Sequence, residues 1–264
     1  MLGTSLVDFD RLERDGDDLH DAFASGWPFR HVVIDHFADP AGLAELVEEI
    51  PDPHDAGINK SRDYFFARNK FEKSGFAAFG PRCRAAYEEL CSDRFRDALR
   101  HITGEDVFVD PTFHGGGMHQ SGPESFLDLH VDFNLHPLHD TWFRNLNVLL
   151  YLNQGWEPSW GGSLQLRHKA TGEERLIEPI FNRCLIMETR DFTQHGFRVT
   201  AFPPGVYRRS IATYAYAEVE GLSYRSSTWY PEGGGIVKRA VGRAWPTLVK
   251  AKNRVLGFGT SKNY

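Results

Sequence analysis

The chain has 264 residues, a formal net charge of −6, 41% hydrophobic and 25% charged residues, which suits a globular protein with a sizeable core. That charge gives no reason to expect nucleic acid as a partner. No apolar run approaches the roughly 20 residues that span a bilayer, so a transmembrane segment is not expected either.

The opening MLGTSLVDFDRLERDGDDLH is acidic where a secretory leader is basic and then apolar. Cys83, Cys91 and Cys184 form no CxxC and cannot all pair, which suits a reducing compartment. A cytoplasmic location is therefore expected. Aromatics at 13%, with 20 Phe, favour a sheet-rich protein with an aromatic-lined interior. No repeat or linker asks for a second domain. We expect one domain over 1–264: a helical part to about 105, a β core at about 106–220 and a basic extension at about 221–264.

In chain order, PFRHVVIDHF (28–37) reads as a strand. Asp39-Pro40 follows as a helix cap with proline at the first helical position. Leu43, Leu46, Val47 and Ile50 then recur at i, i+3, i+4 and i+7, one buried stripe. NKSRDYFFARNKFEK (59–73) mixes Lys60, Arg62, Arg68 and Lys70 with Tyr64, Phe65, Phe66 and Phe71. It is expected to be a partly packed connector with solvated charges; a lid or recognition loop is the functional alternative. Pro81 to about Ile102 is predicted as a second helix, with Leu90, Phe95 and Leu99 in the core.

From about residue 107 short β-like runs alternate with turn residues. Gly115-Gly116-Gly117, flanked by His114 and His119, suggests a bulge or a close backbone approach rather than a phosphate loop, which would want a lysine and a helix. His119 is a candidate for touching substrate or cosubstrate; His136 and His139 are expected in loops. In FLDLHVDFN (126–134), Leu127, Leu129, Val131 and Phe133 alternate with Asp128, His130, Asp132 and Asn134, a half-buried strand with one apolar and one polar face. Runs at 145–153, 162–168, 174–180, 183–189 and 208–219 complete seven or eight strands. Helices packed on a double-sheet jelly roll are the expected, mainly β, fold.

After Glu232 there is no acid, while Lys238, Arg239, Arg243, Lys250, Lys252, Arg254 and Lys262 follow. The simpler reading is a C-terminal helix with a solvated basic face, docked by Ile236, Val237, Ala240 and Val241. The sharper one is a surface for an acidic partner, such as a carrier protein, or for anionic lipid.

A His-x-Asp on a strand points imidazole and carboxylate to one face. One more histidine from a later strand would complete a 2-His-1-carboxylate triad that leaves positions open on Fe(II). His195, in the turn-rich stretch RDFTQHGFRV, is placed to be that histidine. Arg208 and Ser210 share a strand face, and an arginine fork beside a hydroxyl suits a carboxylate; Arg209 points to the other face.

HVDFN (130–134), RNLNVLLYLNQGW (144–156), WGGSLQL (160–166), the histidine of QHGF (194–197) and RRSIATYAY (208–216) occur in order. Together they resemble the prolyl-4-hydroxylase-like bacterial branch of the iron(II)/2-oxoglutarate-dependent dioxygenases. PFRHVVIDHF and the following helix resemble the N-terminal part of bacterial members. The resemblance implies a double-stranded β-helix core (jelly-roll, cupin-like) and catalytic iron ligands His130, Asp132 and His195. It implies that Arg208 holds the distal carboxylate of 2-oxoglutarate, helped by Ser210 and Tyr151. Arg208 follows His195 by thirteen positions, more than in compact members, and Pro203-Pro204-Gly205 can absorb the excess.

The implied activity uses Fe(II), 2-oxoglutarate and dioxygen to hydroxylate an unactivated C–H bond, releasing succinate and CO2. A small molecule or natural-product intermediate is the expected substrate, with a peptidyl or prolyl substrate as the alternative. Halogenating members typically lack the carboxylate, so Asp132 points to hydroxylation. A non-catalytic cupin-like binding protein and a zinc hydrolase are the rival classes. Neither needs Arg208-x-Ser210, and no HExxH supplies a hydrolase's base.

Overall fold

A computed structural model describes residues 5–55, 57–60 and 65–256. The helical part comprises α1 (Phe9–Arg14), α2 (Gly16–Ala24), α3 (Pro40–Glu48), α4 (Pro81–Leu90) and α5 (Asp93–Thr103), with β1 (His31–Asp35) between α2 and α3 in sequence. The Asp39 carboxylate accepts from the Gly42 N–H at 2.6 Å, the cap that Asp39-Pro40 predicts. The single helix expected over 81–102 is two. Ser92 interrupts it and caps α5, its hydroxyl accepting from Phe95 N at 3.1 Å. Leu90, Phe95 and Leu99 are buried as expected.

The remaining strands are β2 (Asn59–Lys60), β3 (Ala67–Lys73), β4 (Phe108–Val109), β5 (Gly117–Val131), β6 (Leu135–His136), β7 (His139–Tyr151), β8 (Leu164–His168), β9 (Glu174–Ile177), β10 (Arg183–Glu188), β11 (Thr193–Phe197), β12 (Arg208–Glu218) and β13 (Thr228–Trp229); α6 spans Gly235–Leu256. Among the described residues thirteen strands form one curled antiparallel sheet along β1-β10-β7-β12-β5-β11-β8-β9. Long β5 runs through the bend, so both layers share it.

Both layers have apolar interiors. On β7, Leu146, Val148 and Leu150 face outward into the helical core with Leu43, Leu46, Phe95 and Leu99. Tyr151, from the opposite face, joins Leu164, Leu166, Leu185 and Met187 inside the barrel, as a side-chain period of two requires. Both faces of the HVD strand are therefore buried, and its polar face looks into the barrel. Fold-level expectation and structure agree on a β core flanked by helices.

Three local expectations are corrected. Residues 67–73 are partly packed as expected, with Phe71 buried and Arg68 exposed, but they are a strand rather than a connector: β3 pairs with β5 from Ala67↔Leu127 to Lys73↔Met118, with a bulge between. Arg62 and Tyr64 of that segment lie outside the described residues. His136 is not a loop residue but is buried on β6, and exposed His139 opens β7 and stacks on Trp142 at 3.9 Å. Ile236 and Val237 do not dock α6, being 79% and 71% exposed. Gly242, packed on the Trp229 carbonyl, and Trp245, edge-on to Phe66 at 5.5 Å, do. Lys252 and Arg254 lie in α6 but their side chains, like Lys262, lie outside the described set.

The tri-glycine gives the expected close approach: Gly117, at φ +96°, sits where a Cβ would collide with the Lys73 carbonyl. Beside it Asp110, 1% exposed, accepts from Thr112 N and Oγ1 at 2.8 and 2.7 Å and from His114 N at 2.9 Å. His136 Nε2 lies 3.4 Å away. Burial raises this carboxyl's pKa, but His136 and the Thr112 and His114 donors overcome it and bring it to about 2. The native pKa lies below the unfolded one, so Asp110 stabilises above about pH 4 and loses that contribution as pH falls towards 2. Asp110→Asn is expected to cost about 2 kcal/mol at neutral pH and to flatten the acid limb. Chemical denaturation at pH 7 and pH 3 checks this; equal losses at both would contradict it.

Candidate active site

His130 on β5 and His195 on β11 are direct cross-strand partners. His195 was expected in a turn-rich stretch; it lies mid-strand instead, because β11 is zipped between β5 and β8. Gly196 allows this: a Cβ there would meet the Leu127 carbonyl at 2.5 Å, so the strands close only around glycine. Asp132 lies one residue beyond β5. The His130, Asp132 and His195 ligand atoms lie within 4.8 Å of one another, all three residues being buried.

The electrostatics suit a cation. His130 Nδ1 is 3.0 Å from the Asp128 carbonyl; in the tautomer that donates there, Nε2 is a bare lone pair. That Nε2 faces Asp132 Oδ1 at 3.4 Å, and His195 Nε2 faces Oδ2 at 3.4 Å. Burial, then His130, push the His195 pKa down to about 3, so the ring is neutral. Burial opposes ionisation of Asp132, but the Arg144 guanidinium, 3.0 Å away, leads the effects that outweigh it and hold the carboxyl well below the usual range. Two imidazoles, the His195 ring neutral, and an ionised carboxylate converging on one point are the donor set that a divalent metal takes.

Arg144 and Asn147 hold that carboxylate, and the sequence reading assigned neither. Arg144 Nη1 lies 3.0 Å from Asp132 Oδ1, and Asn147 Nδ2 donates to Oδ2 at 2.8 Å. The Arg144 guanidinium is fully buried, 3.4 Å from the Tyr214 ring centroid and 3.9 Å from that of Phe133. Positions 144 and 147 fall on opposite faces of a regular strand. A bulge skips Asn145, pairing Tyr216 with Arg144 directly after Ala215 with Leu146, and brings both side chains to Asp132.

Trp229, also unassigned from sequence, stacks on His130 at 4.6 Å and 25°, and Phe66 stacks on Trp229 at 4.9 Å and 5°. β13 carries Trp229 opposite His130. Upstream the strap is tied by Asn134: its N donates to Arg225 O, and its Oδ1 accepts from Arg225 N at 2.6 Å.

Arg208, Ser210 and Tyr151 come together inside the barrel. Ser210 pairs with Tyr151 across β7 and with His119 across β5. Arg208 is 6% exposed, yet no carboxylate among the described residues pairs with it. Its Nε donates to Gly162 O at 2.7 Å and Nη2 to Tyr151 Oη at 3.4 Å, with Phe197 4.6 Å from the guanidinium. Phe197 lies two residues along β11 from His195. Burial raises the Tyr151 pKa against the pull of Arg208, so its hydroxyl stays a donor. Arg209 faces away, its Nε donating to Gln120 Oε1 at 2.9 Å. His119 Nε2 is buried without a hydrogen-bond partner among the described residues. Burial, then Lys70 and Arg208, hold that ring neutral. A buried cation and buried donors beside a metal-type triad can seat a carboxylate-bearing chelator.

Residues 116–216 match the family model of the 2OG-Fe(II) oxygenase superfamily. No curated protein sequence matches the chain. Among solved structures, a Pseudomonas putida prolyl-4-hydroxylase is similar at 19% identity and TM-score 0.56, over 77% of this chain and 100% of that one. A Trichoplax adhaerens prolyl hydroxylase, in complex with a hypoxia inducible factor peptide fragment, is similar at 15% and 0.58, over 78% and 91%. HygX of Streptomyces hygroscopicus, with nickel and 2-oxoglutarate bound, is similar at 11% and 0.50, over 82% and 97%. At these identities the likeness shows a shared fold, the double-stranded β-helix. No described helix is long and apolar enough to cross a membrane.

Proposed function

From the match of residues 116–216 to the 2OG-Fe(II) oxygenase superfamily model, we propose that the chain belongs to that superfamily and hydroxylates an unactivated C–H bond of a small molecule or natural-product intermediate. His130, Asp132 and His195 are its iron ligands in this reading, and Arg208, Tyr151 and Ser210 hold 2-oxoglutarate. The observation that carries it is Arg208: a buried guanidinium without a carboxylate among the described residues, lying inside the barrel that holds the triad. Burying a charge is costly unless an opposite charge joins it, and the distal carboxylate of 2-oxoglutarate is such a charge.

When bound, iron(II) and 2-oxoglutarate supply dioxygen activation, with succinate and CO2 as co-products. The chain's own residues do the rest. Arg208 fixes one end of the cosubstrate, and the Tyr151 hydroxyl donates beside it. Arg144 and Asn147 fix both oxygens of Asp132, and the Asp128 carbonyl sets the His130 tautomer. Phe197 and the apolar inner face exclude water from around them.

A peptidyl or prolyl substrate is the second reading, favoured by the two prolyl hydroxylases among the similar structures. A screen for succinate release across amino acids, peptides and natural-product intermediates separates the two.

Anaerobic addition of Fe(II) and 2-oxoglutarate to metal-stripped protein is expected to give a weak visible charge-transfer absorption, and air should then yield succinate. Zn(II) should occupy the site and give neither. Hydrolase turnover with Zn(II), or no absorption and no succinate with Fe(II), would overturn the oxygenase reading.

A further inference from the structure

Seven of the 30 Lys and Arg residues, and none of the 36 Asp and Glu, lie after Glu232. The preceding chain, with the other 23 cations, carries −13 and this segment +7. On α6, Arg239 and Arg243 stand one turn apart and are exposed. No carboxylate among the described residues lies within ion-pair reach of either.

Between α6 and the outer side of β8 and β11 runs a groove of about 600 Å³, lined by Arg167, Lys169, Gln194, Trp229, Arg239 and Arg243. Glu232 also lines it, 2.9 Å from Arg167, and Arg198 shares that acid at 3.3 Å. Four cations against one shared carboxylate leave the groove at about +3. Gln194 is 4% exposed, and its side-chain amide has no hydrogen-bond partner among the described residues. The Tyr230 ring, beneath Lys169 Nζ at 5.7 Å, also lines the groove.

We propose that this groove binds the phosphate of a small molecule, as a phosphomonoester or diphosphate. A monocarboxylate would leave most of the positive charge unanswered, whereas a phosphate brings close to two negative charges and three strong acceptors. Two arginine forks one turn apart can grip it in bidentate fashion, with the Gln194 amide as a neutral donor. The site is distinct from the 2-oxoglutarate pocket inside the barrel and does not depend on the oxygenase reading. The two share one wall: Trp229 lines the groove and lies on His130.

Titration calorimetry with phenyl phosphate as the probe and benzoate as the carboxylate control tests this on the full chain. We expect one phenyl phosphate per chain, with benzoate at least about ten-fold weaker. The R239A/R243A variant should lose at least about ten-fold in phenyl phosphate affinity, and R239K/R243K, which keeps charge but not the fork, should fall between. K169A, on the opposite wall, should lose about three-fold. All three sites are exposed, so thermal melting should leave the variants folded as wild type. No saturable phenyl phosphate binding, equal benzoate affinity, or unchanged affinity in both R239A/R243A and K169A would overturn the proposal.

Discussion

Asp132→Ala is expected to abolish succinate formation at every 2-oxoglutarate concentration and to cost about 3–5 kcal/mol of folding stability. The first loss follows from the donor set: with the carboxylate gone, only two imidazoles remain, and the charge that attracts a divalent ion disappears. The second follows from Arg144. Its guanidinium is fully buried and lies 3.0 Å from Asp132 Oδ1, so removing the acid strands a charge away from water. The two losses separate in one experiment. In D132A/R144M the stranded charge is gone and methionine fills space beside Phe133 and Tyr214. Stability should recover by at least about half, while iron binding and turnover stay absent. Equal stability of D132A and wild type in chemical denaturation would show that Arg144 does not depend on Asp132.

Arg208→Ala is expected to raise the 2-oxoglutarate concentration for half-maximal turnover by about 100-fold, near 2.7 kcal/mol, with a smaller change in turnover at saturation. An interaction that grips the cosubstrate equally before and during reaction weakens affinity rather than the chemical step. Arg208→Lys keeps the charge but loses either the Gly162 contact or the reach into the cavity. It should fall between wild type and alanine. Iron affinity without cosubstrate should be unchanged, which sets this variant apart from D132A. A wild-type cosubstrate requirement in R208A would place the anchor elsewhere, and Arg209 is not a candidate, since it faces away and is held by Gln120.

What the sequence made legible was local. The strand leading into HVD, the Asp39-Pro40 cap, and Arg208-x-Ser210 as one face all depend on residues a few positions apart, and the structure bears them out. The half-burial expected of the HVD strand does not hold, since Leu129, His130 and Val131 are all buried. What it hid was set by partners far along the chain. TQHGF has neither alternation nor strong β propensity, and it is a strand because β5 and β8 hold its two edges. Arg144 shares a run with Tyr151, yet simple parity sends it to the wrong face. The bulge at Asn145 depends on β12, more than 60 residues away. The break at Ser92 is different: a serine followed by Asp and Arg is a local cap signal, set within a longer periodic stretch that masks it.

The match to the 2OG-Fe(II) oxygenase model ends at residue 216, but the surroundings of His130 do not. Trp229, which covers that imidazole, arrives on β13 after the strap clasped by Asn134, and α6 backs it through Trp245 and Phe66. A fragment cut at the family boundary would keep every proposed ligand and still leave one face of His130 bare to solvent. The smallest piece of this chain worth expressing as a catalyst therefore ends beyond Trp245.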